Sequence, residues 1–226
     1  VILPQLSKHV EGNKSEKISL IQNKALELSL FLSIPATVAL LIASNEIISA
    51  LFGYGLFDEK SVENSAKALF YFALGLPAFS LIKVFSSFYF ARHNTKVPFY
   101  ISLVSVFVNI LISVIFFKKF GFIVIPIATT ISSWFNSIIL FIYLKKDKYF
   151  SFNLTFLNKF IRILFSSIIM GSLFVFLMSF FEANLAYDES YKSFYLISLV
   201  MFGLIMYLVI AILIKAFKIS DINLKY

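Results

Sequence analysis

The chain reads as an all-α protein, a polytopic integral membrane helix bundle with six transmembrane helices, and three observations predict it. Apolar residues make up 60% of its 226 positions and charged residues only 14%, with a mean hydropathy of +0.90, whereas about half apolar is usual for a soluble domain. The apolar residues gather in long runs that match the roughly 20 residues a helix needs to cross the hydrocarbon. These runs do not alternate as barrel strands do, and a closed barrel is the other spanning solution.

The opening VILPQLSKHVEGNKSEK is a short apolar scrap that turns polar. Residues 1–24 therefore read as the cytoplasmic end of an upstream helix and a basic loop, and the chain as the C-terminal part of a longer protein. Residues 25–144 hold four spans. The first runs from about Ala25 to Phe52, with Pro35 inside it and Asn45 and Glu46 near its end. The second, about Ala66 to Ala91, organises the rest: it carries Lys83 at depth and ends in the basic, polar cap Arg92, His93, Asn94, Thr95 and Lys96. Pro77 in this helix removes one intrahelical hydrogen bond and crowds the preceding turn, so a bend is expected there. The third, Phe99 to Phe117, has no charge, and the fourth, about Phe122 to Leu144, contains Pro126, Thr129, Thr130, Trp134 and Asn136. Residues 145–158, KKDKYFSFNLTFLN, mix lysines with aromatics and read as an interfacial cytoplasmic linker, since aromatic rings favour the headgroup level. Residues 159–226 supply an appended helix pair, about Phe160 to Phe181 and Phe194 to Ile214, with a cytoplasmic tail. Gly171, Ser172 and Gly203 in that pair permit close helix approach.

Loop charge orients the bundle. Fourteen basic residues fall on one side: Lys8, Lys14, Lys17, Lys24, Arg92, Lys96, Lys145, Lys146, Lys148, Lys159, Arg162, Lys215, Lys218 and Lys225. Five fall on the other: Lys60, Lys67, Lys118, Lys119 and Lys192. The positive-inside rule then places both ends in the cytoplasm. It also accounts for the net charge of +8 without nucleic acid as a partner.

The absence of cysteine excludes a disulfide framework, a thiolate zinc site and a cysteine nucleophile. His9 and His93 both sit in expected loops, and no nucleophile–base pair, HExxH, GxSxG or phosphate-cradling glycine loop is present. These residues predict no catalytic residue, cofactor or metal, and leave an enzyme only where an active site lies in a part upstream of this chain. An ionisable residue at membrane depth is a functional hypothesis by default, so Lys83 reads either as a cation facing an aqueous cavity or as a packing residue paired with a neighbouring helix. Arg92 and Lys96 read as topological anchors that snorkel to headgroups or as contacts to a phosphorylated ligand. Asn109 and Ser113 share a helix face. With Thr129, Thr130 and Asn136 they either hydrogen-bond across a helix pair or form a polar, possible cation site of oxygen ligands. No carboxylate is available to complete the latter.

A family resemblance rests on motifs in order along the whole chain. YFARHNTKVP, from Tyr89 to Pro98, resembles the FYAR-x-DT-K-TP signature of the MurJ (MviN) lipid II flippases, with Lys83 and Val84 where the family has KVL. Ile2 to Lys8 resembles the family's ILPxLSK, Leu51 to Phe57 its LFxxGxF turn, and Ala128, Thr129 and Asn136 its ATSxxxxxN pattern. Asn94 and Val97 stand where the family has aspartate and threonine, Ser113 where some members have an acidic or amide residue, and Glu46 where proline is common. The resemblance implies a fold of fourteen helices in the MOP exporter superfamily, two lobes of six plus a terminal pair lining a lipid-tail groove. This chain then corresponds to the ninth to fourteenth helices. It further implies a multi-pass protein of the bacterial inner membrane that moves lipid II by alternating access, with lipid II, membrane lipids and the upstream half of the same transporter as partners. Export of another polyprenyl-linked oligosaccharide, or a non-transporting membrane scaffold, are the rival readings.

Overall fold

A computed structural model of the chain describes residues 2–11 and 15–217 and is helical throughout its long elements. In order these are α1 (Ile2–Glu11), α2 (Ser15–Ile42), α3 (Ser44–Phe52), α4 (Glu59–Phe90), α5 (Lys96–Phe120), α6 (Val124–Lys146), α7 (Leu154–Phe180) and α8 (Lys192–Leu213). Five helical stretches among the described residues are long and apolar enough to cross a membrane. One of them, Lys96–Lys146, is α5 and α6 run together, so the six expected spans are present as α2, α4, α5, α6, α7 and α8.

Two boundaries of the first span depart from the expectation. Helix α2 starts at Ser15, ten residues before the apolar run, because its polar first turns are used for hydrogen bonding described below. It continues through Pro35 and stops at Ile42, where Ala43, at φ −107° and ψ 21°, separates it from the short α3. The first span thus ends before Asn45 and Glu46, and residues 44–52 form a helix outside the membrane-length stretches. Pro77 lies within the uninterrupted α4. Lys14, Lys218 and Lys225 lie outside the described residues.

Where α5 meets α6 the chain reverses at Gly121, whose φ of 61° and ψ of −147° fall where a side chain is disfavoured. The register is antiparallel: Asn109 of α5 meets Thr129 and Ser132 of α6, and Ser102, two turns earlier on the same face, meets Asn136.

Helices α4, α6 and α8 all end in the same way. In each, the residue just past the last turn takes a left-handed conformation: His93 at φ 54°, Lys148 at 56° and Lys215 at 57°. His93 N donates to Phe90 O and Asn94 N to Tyr89 O, and the same pair of bonds recurs at Lys148–Tyr149 and Lys215–Ala216. This is the Schellman arrangement, which satisfies the last carbonyls of a helix. At two of the three ends the left-handed residue is a lysine, Lys148 or Lys215, which sets a cation against the negative end of the helix dipole.

The chain divides into two compact units. The first comprises Val1–Ser33 and Gly75–Asn158, the second Ile34–Leu74 and Lys159–Tyr226. The core of the first contains an aromatic cluster. Phe85 and Phe88 of α4, Phe141 of α6, and Phe150, Phe152 and Phe156 from the following segment hold ring centroids 4.9–6.4 Å apart. Phe150 is buried and stacked on Phe88, so this part of the 145–158 linker packs inward, while Phe152 stays half exposed. In the second unit, α3, α7 and α8 close around Ala43, Ala50, Phe174, Leu196 and Leu199.

Candidate functional site

The YFARHNTKVP stretch builds a rigid turn between α4 and α5. Tyr89 is fully buried; its hydroxyl donates to Asp147 Oδ2 at 3.1 Å and its ring meets Tyr149 edge-on at 5.8 Å. His93 and Asn94 close the Schellman bonds, and Asn94 Oδ1 then accepts from Val97 N at 3.3 Å, capping the start of α5. The asparagine standing in the aspartate position keeps this cap, because both side chains present the same acceptor.

Arg92 is half buried and held on three sides. Nη1 donates to Phe88 O at 2.7 Å, Nη2 to Tyr149 O at 3.2 Å, and the guanidinium lies 4.4 Å from the Tyr149 ring centroid. Burial pulls its pKa below the ordinary guanidinium value, and the neighbouring phenols of Tyr149 and Tyr89 oppose that. With five N–H groups in a fixed fork, Arg92 keeps donors beyond these two bonds. Lys96, the first residue of α5, is exposed.

Lys83 is exposed and lies about two turns, roughly 10 Å, before the end of α4. Among the described residues no hydrogen bond, ion pair or ring contact joins Lys83, Arg92 and Lys96 to one another, and Lys83 has no paired carboxylate or carbonyl. Two residues before Pro77, Gly75 faces α6: an added Cβ would come within 2.9 Å of Thr130 Oγ1. That position lets α4 approach α6 closely.

Asn109 Nδ2 donates to Thr129 Oγ1 at 3.1 Å and to Ser132 Oγ at 3.3 Å, and Thr129 Oγ1 donates in turn to Ile125 O. Asn136 Nδ2 reaches Ser102 Oγ at 3.4 Å, while Asn136 Oδ1 is buried and has no partner among the described residues. Ser113 takes no part in these bonds. The geometry is that of a helix pair joined by side-chain hydrogen bonds.

Residues outside the expected set tie the site together. Gln22 Nε2 donates to Tyr149 O at 2.9 Å, Asn23 Nδ2 to Ser151 O at 3.0 Å, and Asn153 N to Asn23 Oδ1 at 3.1 Å. The start of α2, the 92–98 turn and the 147–153 segment therefore meet at one end of the first unit, as the loop charges group them. The adjacent amides Gln22 and Asn23, just ahead of an apolar run, were the available signal. In the second unit, Arg162 Nη1 donates to Lys215 O at 3.2 Å, which brings two further basic segments together. Lys192 is the largest surprise there. It is 1% exposed, with Nζ donating to Gly53 O at 2.8 Å and Tyr187 O at 2.5 Å, and it lies 4.5 Å from the ring centroids of both Tyr54 and Tyr187.

Comparison with known proteins gives one consistent result. The family model described as "Lipid II flippase MurJ" matches residues 1–196. The "Probable lipid II flippase MurJ" of Rhizobium tropici is 31% identical over 229 residues, covering 100% of this chain and 43% of the relative. That of Thermotoga maritima is 32% identical over 194 residues, covering 86% of this chain and 37% of the relative. A solved structure entitled "Lipid II flippase MurJ, inward closed conformation" superposes with a TM-score of 0.74 at 26% identity, covering 95% of this chain and 42% of that one. The chain spans less than half the length of each of these relatives.

Proposed function

The chain belongs to the lipid II flippase MurJ family, and on that premise we propose that it forms the C-terminal part of a transporter that carries lipid II from the cytoplasmic to the outer face of the bacterial inner membrane. The observation that carries this reading is Lys83: an exposed cation on a membrane-length helix, without a counter-charge among the described residues, is available to an anion such as the cargo's pyrophosphate. A charge at membrane depth is retained at a cost, and function is the usual reason.

In this reading residues 25–144 belong to the C-terminal lobe, 145–158 link it to the terminal pair, and 159–226 line a groove for the lipid tail. Both ends of the chain face the cytoplasm, as the loop charges suggest. Lys83 and Lys96 attract the anionic headgroup, and Arg92 contributes the donors its internal bonds leave over. Pro77, which removes one backbone bond from α4, is the bend around which the helix flexes. Asn109 and Thr129 hold α5 on α6. Attraction alone does not move cargo; alternating access does, and the membrane potential supplies about 2.3 kcal/mol per charge per 100 mV.

The test is rescue. The full-length protein is expressed in Gram-negative cells depleted of their own lipid II flippase, and lipid II at the outer face is quantified. Restored exposure and growth support the reading. Abundant, inserted protein with lipid II retained inside refutes the cargo assignment in favour of another polyprenyl-linked glycan or a scaffold. Within a rescuing protein, Lys83→Ala lowers flipping at unchanged protein level; equal loss of both makes Lys83 structural.

A further inference from the structure

The second unit contains a cavity of about 510 Å³ that the flippase reading does not use. It is bordered by the end of α2, by α3, by the start of α4 and by the end of α7 with the 3-10 turn Glu182–Leu185. Its volume falls in the range of small-molecule sites, about 300–1,000 Å³. Three carboxylates line it, Glu46, Glu59 and Glu182, and no lysine or arginine pairs with any of them among the described residues. The polar lining is completed by Asn45, Ser49 and Ser179, against an apolar wall that includes Val175 and Met178.

Two buried atoms in this lining are left without partners among the described residues. Ser49 is 3% exposed and its Oγ has no hydrogen bond. Glu46 Oε2, from the same face of α3 one turn earlier, is buried and also has none. A serine in a helix ordinarily satisfies itself on a carbonyl of the preceding turn, and several others here do so, Ser105 and Ser167 among them. Buried polar groups without partners are uncommon enough that each calls for an explanation. Burial also holds the Glu46 carboxyl above the usual carboxylate range, its own backbone hydrogen bond only partly opposing this. A cation brought to Oε2 would remove that penalty.

The donor set selects the kind of cation. A hard metal ion takes six or more oxygens converging at about 2.0–2.6 Å, and no group of three acidic or histidine side chains is placed to hold one among the described residues. Carboxylates spread around a cavity with an apolar wall suit a larger ion that carries several N–H donors on a hydrocarbon body.

We propose that this cavity binds a primary alkylammonium group, with Glu46 as its counter-ion, Ser49 Oγ as an additional acceptor, and Glu59 and Glu182 supplying negative potential at the rim. The inference does not depend on lipid II being the cargo. Two sources present this chemistry, a free amine in solution and the headgroup of an aminophospholipid, and they separate experimentally.

The full-length protein is purified in an amine-free detergent, and its thermal unfolding is followed as cadaverine is added at constant ionic strength, with sodium and magnesium chloride as controls. In parallel it is placed in nanodiscs of phosphatidylcholine with and without phosphatidylethanolamine. A saturable rise in melting temperature with cadaverine identifies the free amine, and one with phosphatidylethanolamine alone identifies the headgroup. In either case Glu46→Gln weakens the response about tenfold or more, the value of a hydrogen bond to a charged group, and Ser49→Ala weakens it less. Stabilisation of neither kind, equal stabilisation by the inorganic salts, or an unchanged response in both variants overturns the proposal. Ser49→Ala, a change of one buried atom, keeps the test valid should Glu46→Gln fail to fold.

Discussion

Glycine to alanine, made at two positions of the same helix pair, is expected to act with opposite sign. Gly171 of α7 packs against α2: an added Cβ would stand 2.6 Å from Val38 Cγ1 and 3.3 Å from Ile42 Cδ1. Ordinary carbon contacts lie near 3.5–4.0 Å, so helix or side chain must give by about 1 Å, and the branched Val38 has little rotamer freedom with which to do so. Overpacking of this kind costs about 1–3 kcal/mol, against a gain of about 0.5–1 kcal/mol from removing a mid-helix glycine. Gly171→Ala therefore destabilises by up to about 2.5 kcal/mol. At Gly203 of α8 the added Cβ would meet Phe174 Cδ2 at 3.6 Å and Cε2 at 4.0 Å, an ordinary contact. Only the helix gain remains there, and Gly203→Ala stabilises by about 0.5–1 kcal/mol. Denaturant unfolding of the two variants of the full-length protein in the same detergent, followed by tryptophan fluorescence or circular dichroism, measures the difference. Equal shifts, or a Gly171→Ala variant more stable than Gly203→Ala, would refute the packing argument.

Lys192→Met keeps the aliphatic stem but leaves the Gly53 and Tyr187 carbonyls unmet, and costs about 2–3 kcal/mol; unfolding midpoint and steady-state protein level report it, with Lys60→Ala as the exposed control. Arg92→Lys keeps the charge and loses the fork and the ring stack, for about 0.5–2 kcal/mol, and a midpoint equal to wild type would show that the contacts to Tyr149 contribute nothing.

The long apolar runs and the clustering of basic residues were legible because bilayer thickness and backbone hydrogen bonding constrain them directly. Their ends were not. Residues 15–24 look like a loop because Gln22 and Asn23 are polar, yet that polarity is what pins α2 to the 149–153 segment. Proline was an unreliable stop signal: α2 passes Pro35 and breaks at Ala43, an alanine without local signature. Lys192 is a loop lysine by sequence and a core residue in the fold: Tyr187, five residues away, supplies one carbonyl and one ring, but nothing in its neighbours announces the Gly53 carbonyl and the Tyr54 ring that arrive from far along the chain. For Arg92 the sequence left anchor and ligand contact open; the fold commits part of its fork to Phe88 and Tyr149. Family resemblance in the 89–98 motif coincides with tight local bonding, which is why that stretch was readable without knowledge of its surroundings.

The reversal at Gly121 bears on how the protein is made. Asn109 and its partner Ser132 are 23 residues apart, so at about 5–20 residues per second the second leaves the ribosome one to a few seconds after the first. An asparagine entering hydrocarbon alone is penalised, and a helical hairpin with almost no connecting loop lets α5 and α6 insert as one object with that amide already bonded. Biogenesis of this region is then paced by translation of α6, and lengthening the turn would delay insertion before it disturbed the finished structure.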